Sequence, residues 1–153
     1  MLRSSAVIEA LFLIIIVAAL VFGSTHSCAD VSAVATGFSY HNKRQYNFNE
    51  NNSGVGVRFN QEGYDIQLGQ YKNSYYRQSS YVLIDSYADN GYIKLGTFAA
   101  LLTGYEKEYK RFTPALGLML RYNVARTDAT VRYIPSDGIK NSSVISIEAA
   151  YTF

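Results

Sequence analysis

Few residue types in this chain are equipped for chemistry, and the charged ones share a pattern. Arg58, Asp65, Asp85, Lys94, Arg121, Asp128, Arg132 and Glu148 all fall on the same parity of strand-like segments. Charges gathered on one face of strands can form ion pairs and hydrogen bonds inside an enclosed space. Cys28 is the only cysteine. No His/Cys cluster offers zinc a ligand set, and a single cysteine leaves no internal disulfide. Neither a metal nor a cofactor is expected. His41 stands alone at the end of the first strand-like segment, on the side of the charged set.

Positioning these groups takes strands. Eight strand-like segments follow the N-terminal region: Val31–His41, Gly54–Gln61, Tyr64–Tyr71, Ser79–Tyr87, Tyr92–Thr103, Thr113–Tyr122, Thr127–Ile134 and Ser142–Phe153. Successive side chains of a strand point to opposite faces. The set opposite the charges is apolar: Val34, Phe38, Tyr40; Val55, Val57, Phe59; Ile66, Leu68; Val82, Ile84; Ile93, Leu95, Ala99, Leu101; Leu116, Leu118, Leu120; Val131, Tyr133. The last segment alternates Ile145, Ile147, Ala149, Tyr151 and Phe153 with smaller or polar residues, and it ends on an aromatic. Short turns at 61–63, 88–91 and 123–126 alternate with longer polar loops at 42–53, 72–78, 104–112 and 135–141. An even strand number, short turns on one rim and long loops on the other form the pattern of a bacterial outer-membrane barrel.

A soluble sandwich or a lipocalin-like barrel alternates in the same way, with its oily face inward. The N-terminus favours the membrane. Arg3 precedes the apolar run Ala10–Phe22, and Ser27-Cys28-Ala29 offers a small-x-small cleavage site, the organisation of a secretory signal. The expected division is a signal peptide over 1–29 and one barrel domain over 30–153. An uncleaved anchor is a second reading, although the run is short for a span. A lipoprotein acylated at Cys28 is a third, weakened by Thr25 three residues upstream.

Removing 1–29 leaves the net charge at +2 and keeps all 14 tyrosines, which an interfacial girdle would use. A near-neutral chain gives no support to nucleic-acid binding, which wants a basic patch.

The inward set has a gradient. Toward the outer rim it holds Gly54, Gly56, Gly69, Tyr71, Leu83, Phe98, Ala100, Leu102, Ala115, Gly117 and Met119, with Arg132 as the exception. Deeper lie Arg58, Asp65, Gln67, Asp85, Lys94 and Arg121. The outer lumen is therefore expected to be apolar and partly hollow, the inner lumen a plug of paired charges. A small barrel either fills its interior or holds one small ligand. Tyr71, Phe98, Leu102 and Met119 are the expected ligand contacts.

Arg132-Tyr133-Ile134-Pro135, followed by a Gly/Asn-containing loop and the last strand, and Phe112-Thr113-Pro114 resemble segments of the outer-membrane lipid A palmitoyltransferases (PagP-like proteins). The resemblance spans Gly37 to Phe153 and is patchy. It implies an eight-stranded outer-membrane barrel that binds membrane lipids, phospholipid and lipid A, as a monomer. It implies a lateral gate at Pro114 and Pro135, the only prolines in the chain. Both also suit ordinary loop edges. The family's histidine at the end of the first strand matches His41. Its adjacent acid and serine match Tyr71-Lys72-Asn73-Ser74, with Asn73 in place of the acid. The implied roles are general base for His41, nucleophile or oxyanion donor for Ser74, and an oxyanion hydrogen bond from Asn73. Three further departures qualify the resemblance. The segment before the first strand is too short for the family's amphipathic helix. Ser53 replaces a gate proline. Asp85 lies near the floor of the family's acyl pocket, where a carboxylate would shorten it.

Two functions follow. One is a lipid A acyltransferase. The other is a non-catalytic barrel, phage-encoded in one version, that binds lipopolysaccharide or a surface partner through its loops. Lys43, Arg44, Lys72, Arg77, Lys107, Lys110 and Arg111 on those loops would suit phosphates.

Overall fold

The computed structural model describes residues 30–105, 112–135 and 142–153. The signal-like segment, Lys107, Lys110 and Arg111 lie outside the described residues. Alternating sequence becomes strands β1 (Asp30–His41), β2 (Asn51–Asn60), β3 (Tyr64–Lys72), β4 (Gln78–Asp89), β5 (Ile93–Leu102), β6 (Thr113–Val124), β7 (Thr127–Ile134) and β8 (Val144–Thr152). Each pairs antiparallel with its neighbours, and β1 pairs with β8 to close the barrel. One short 3-10 helix, Arg44–Tyr46, lies in the loop after β1. β2 begins at Asn51 and β4 at Gln78, before the first apolar residue of each, because Asn51 pairs with Phe38 and Gln78 with Lys72.

The outer face is apolar. Val55 is 71% exposed, Leu116 66% and Leu95 62%. Tyr64, Tyr92, Tyr122, Tyr151 and Phe153 are exposed toward the short-turn end. Inside, Arg58, Asp65, Asp85 and Arg121 are buried. A water-soluble barrel has the opposite arrangement, since large exposed apolar surfaces in water are an association hazard. The charged set expected to point inward does so in every strand that carries one.

Two positions of the expected outward set are buried. Val34 is 3% exposed and faces the lumen. Both ladders of β1 shift register between Thr36 and Phe38. A bulge inserts one residue and reverses the parity beyond it, so Val34 and Phe38 lie on opposite faces. The same bulge puts Ser39 and His41 inside. Ile66 keeps outward parity but lies between its cross-strand partners Phe59 and Ile84, and is covered.

Among the described residues the β6–β7 ladder runs from Val124↔Thr127 to Leu118↔Tyr133 and stops. On the other side of β6 the β5 ladder continues to Leu102↔Thr113. Among the described residues, the outer part of β6, with Pro114 on its outward face, thus pairs with β5 alone. Pro135 follows β7 and is exposed. At the end of the short ladder a Cβ on Gly117 would stand 2.0 Å from the Tyr133 carbonyl, so only glycine fits.

Candidate functional site

Three layers fill the lumen. The deepest is ionic. Arg58 meets Asp128 at 3.0 Å and Glu148 at 3.6 Å. Arg121 contacts Asp65 and lies 2.8 Å from Asp85. Arg132 lies 2.7 Å from Asp85 and 2.6 Å from Glu148. Thr130 accepts from Arg121 Nε at 2.9 Å, and Gln67 Nε2 donates to Glu148 at 3.0 Å. Burying ions this deeply is sustainable only with such pairing. Arg132, the exception in the apolar outer lumen, is therefore the uppermost member of this layer. Asp85 belongs to it too, so its carboxylate faces guanidinium groups. Toward the short turns the layer faces a polar cavity of about 420 Å³ lined by Lys94, Arg126 and Asn123 among others.

Above the ionic layer is an apolar cavity of about 140 Å³. Its walls come from Leu83, Phe98, Ala100, Leu102, Ala115 and Ile134, and its floor from Gln67, Arg132 and Glu148. Of the expected contact residues, Tyr71, Phe98 and Leu102 line it. Met119 does not. It is packed below with Tyr81, Leu83 and Phe98 at 1% exposure.

The third layer is a roof of loop aromatics. Phe48 stands 4.4 Å from the His41 ring, and Tyr75 packs edge-on against Phe48 and Tyr105. The Tyr71 and Tyr105 hydroxyls are 2.9 Å apart. Tyr105 also meets the side chain and backbone of Ser74, and burial pushes its hydroxyl above its ordinary pKa, so it remains a donor.

The candidate catalytic pair lies within this roof. Ser74 Oγ is 2.9 Å from His41 Nε2, and Ser39 Oγ is 3.4 Å from the same nitrogen. β1 delivers His41 and the β3–β4 loop delivers Ser74. Asn73 shapes that loop. Its Oδ1 accepts the N–H groups of Tyr75 at 2.9 Å and Arg77 at 3.0 Å, and its Nδ2 donates to Ser79 Oγ and the Gly104 carbonyl, both at 2.9 Å. All its hydrogen-bonding capacity in these directions goes to structure, and it is fully buried. The structure brings His41 and Ser74 together and directs Asn73 away from them. Sequence reasoning missed Ser39, Tyr105 and Phe48. The alternation could have shown Ser39 beside His41 on one face. Phe48 and Tyr105 come from loops and carry no periodic signal.

No family model matches this sequence, and no curated protein matches it. Among solved structures, a de novo designed transmembrane β-barrel is similar with a TM-score of 0.61 at 13% identity, over 84% of this chain and 98% of the designed one. At that identity the likeness concerns the fold alone: a closed, eight-stranded antiparallel barrel.

Proposed function

We propose that this chain is a bacterial outer-membrane barrel that acts on ester-linked acyl chains of membrane lipids. The most specific version is transfer of an acyl chain from phospholipid to lipid A. The observation that carries the reading is the 2.9 Å contact of His41 with Ser74, made by two separate elements above an apolar cavity. The apolar outer face and ionic interior support the membrane location, because lipid solvates such a face. In the reaction His41 Nε2 takes the Ser74 proton as Oγ attacks the ester carbonyl. His41 gives that proton to the leaving alcohol; an acceptor hydroxyl then attacks the acyl-serine, its proton passing through His41 to Ser74 Oγ as the acyl–serine bond breaks. The Tyr105 hydroxyl beside Ser74 supplies a donor for the oxyanion, the role that Asn73 does not fill.

A second reading is favoured by the roof. Phe48, Tyr75 and Tyr105 pack closely over the mouth, and 140 Å³ is below the roughly 300–1,000 Å³ of ordinary ligand pockets. A barrel that binds lipopolysaccharide through its loops would have such a mouth. Mass spectrometry of lipid A from cells expressing the chain separates the two. A gain of one acyl chain, absent in His41→Ala and Ser74→Ala, supports the transferase. Unchanged lipid A with the folded barrel in the outer membrane supports the loop-binding reading.

A further inference from the structure

The small cavity poses a problem for any lipid substrate. An apolar cavity of roughly 150 Å³ holds a molecule the size of benzene, much less than a fatty acyl chain. Its floor is ionic, so it cannot lengthen downward without burying methylenes against Arg132 and Glu148.

The lining of the cavity offers a way out. Its strand residues face the lumen with two side chains excepted, Phe38 of β1 and Ile147 of β8. These are 46% and 47% exposed on the outer face of the barrel and are cross-strand partners. Between Phe38 and Thr36 lies Gly37, which also lines the cavity. Gly37 has no Cα partner in either ladder of β1. Among the described residues a Cβ placed on it would find only the Ile147 carbonyl, at 3.9 Å. At the β6–β7 seam, by contrast, the cavity touches Ala115 and Ile134, which face inward, and no outward residue among the described ones. Among the described residues the cavity thus meets outward-facing positions only at the bulge, where Gly37 places no side chain between lumen and wall.

The geometry points to a lateral portal at the β1–β8 seam, framed by Phe38 and Ile147 and kept open by Gly37, through which the alkyl chain of a membrane lipid passes. This deepens the acyl-chain reading above and rests on it. His41 lies three residues beyond Phe38 on the same strand, about 10 Å at strand rise. A chain with its ester at the His41–Ser74 pair fills the cavity with its first methylenes, and its distal end leaves sideways into lipid. Chain length is then not measured by the floor. The portal differs from the two-proline gate implied by resemblance, which lies at the β6–β7 seam.

The test is photolabelling of the full chain reconstituted in phosphatidylcholine vesicles, with part of the phosphatidylcholine carrying a diazirine in one acyl chain, mid-chain or at the terminal carbon. Mid-chain label is expected on lumenal Val144 and Leu102, and terminal label on Phe38 and Ile147. Gly37→Leu closes the portal and abolishes the lumenal label, while outer label on Leu95 and Leu116 persists. Gly37 has no left-handed φ, so the variant is expected to fold, which circular dichroism checks. Phe38→Ala, which widens the frame, increases lumenal label and serves as the second variant. Lumenal label that survives Gly37→Leu, or no lumenal label in either variant or wild type, overturns the portal. Lipid A mass spectrometry run in parallel separates the readings: portal-dependent label with unchanged lipid A removes the transferase and keeps the portal.

Discussion

Arg132 of β7 and Glu148 of β8 stand 2.6 Å apart at the bottom of an apolar cavity, and Arg132 also holds Asp85 across the lumen. One guanidinium thus closes the ionic layer beneath an oily compartment. Removing one member of a buried ion pair strands the other and costs about 3–5 kcal/mol, whereas replacing a pair by apolar residues is often neutral. Arg132→Ala is expected to lower unfolding free energy by about that amount. Arg132→Met combined with Glu148→Leu should cost less than Arg132→Ala alone, though Asp85 and Arg58 each lose one partner. Urea unfolding of the reconstituted barrel checks this. Equal losses in the single and double variants would mean that the layer is held by solvent rather than by pairing.

Glycines on the inner face of β2 and β3 leave room for a tyrosine of β4. The Tyr81 hydroxyl would stand 2.6 Å from a Cβ on Gly56 and 2.8 Å from one on Gly69, and it accepts from Gln67 at 2.8 Å. Losing that hydroxyl in Tyr81→Phe should cost about 1 kcal/mol. Gly69→Ala should cost about 1–3 kcal/mol as overpacking. Most of that cost should persist in the Tyr81→Phe background, because the new methyl would also stand 2.5 Å from the Val55 carbonyl and 2.7 Å from Gly56 Cα. A double-mutant cycle on unfolding free energies measures it. Full rescue by Tyr81→Phe would place the conflict in the hydroxyl instead of the backbone.

Much of this barrel is legible in its alternation. The charges of β2 to β8 declare the inward face, because each of these strands keeps one parity from end to end. β1 does not, and Val34 is misread for that reason: reading β1 as one unbroken strand puts Val34, Phe38 and Tyr40 on one face. The only local cue is Gly37 in a strand interior, where glycine often marks a bulge. The site was legible only halfway. His41 has a parity and could be placed in the lumen. Ser74 and Asn73 sit in a loop whose shape depends on hydrogen bonds to Gly104 and Ser79, contacts no periodicity encodes.

The β6–β7 turn carries removable strain. Val124 pairs with Thr127, so Ala125 and Arg126 form a two-residue hairpin loop, and Ala125 has φ 52°. Arg126 is not left-handed, which makes this the turn type that prefers glycine at its first central position. A left-handed non-glycine residue costs roughly 1–2 kcal/mol. Ala125→Gly is expected to stabilise the barrel by about 1 kcal/mol, less than the full strain because glycine also frees the unfolded chain. Thermal unfolding in detergent checks it, and a lower midpoint would contradict it.

Asn73 provides the sharpest test of how the mouth is organised. The resemblance to acyltransferases suggests that Asn73→Asp would restore a missing acid beside His41. The structure argues the reverse. The amide hydrogens of Asn73 donate to the Gly104 carbonyl and to Ser79 Oγ, and Ser79 in turn gives its own proton to the Thr103 carbonyl. A carboxylate in that place would face the Gly104 carbonyl with no hydrogen to offer, at a site that is 0% exposed. An unsatisfied buried group costs about 1–3 kcal/mol, more when charged. Asn73→Asp should therefore destabilise the barrel and loosen the β3–β4 loop, carrying Ser74 away from His41. Acylation of lipid A, where wild type shows it, should fall rather than rise. Unfolding free energy and lipid A mass measured on the same variant decide the matter. A stable variant with increased acylation would show that the loop can turn residue 73 toward the histidine and that the acid is catalytic here too.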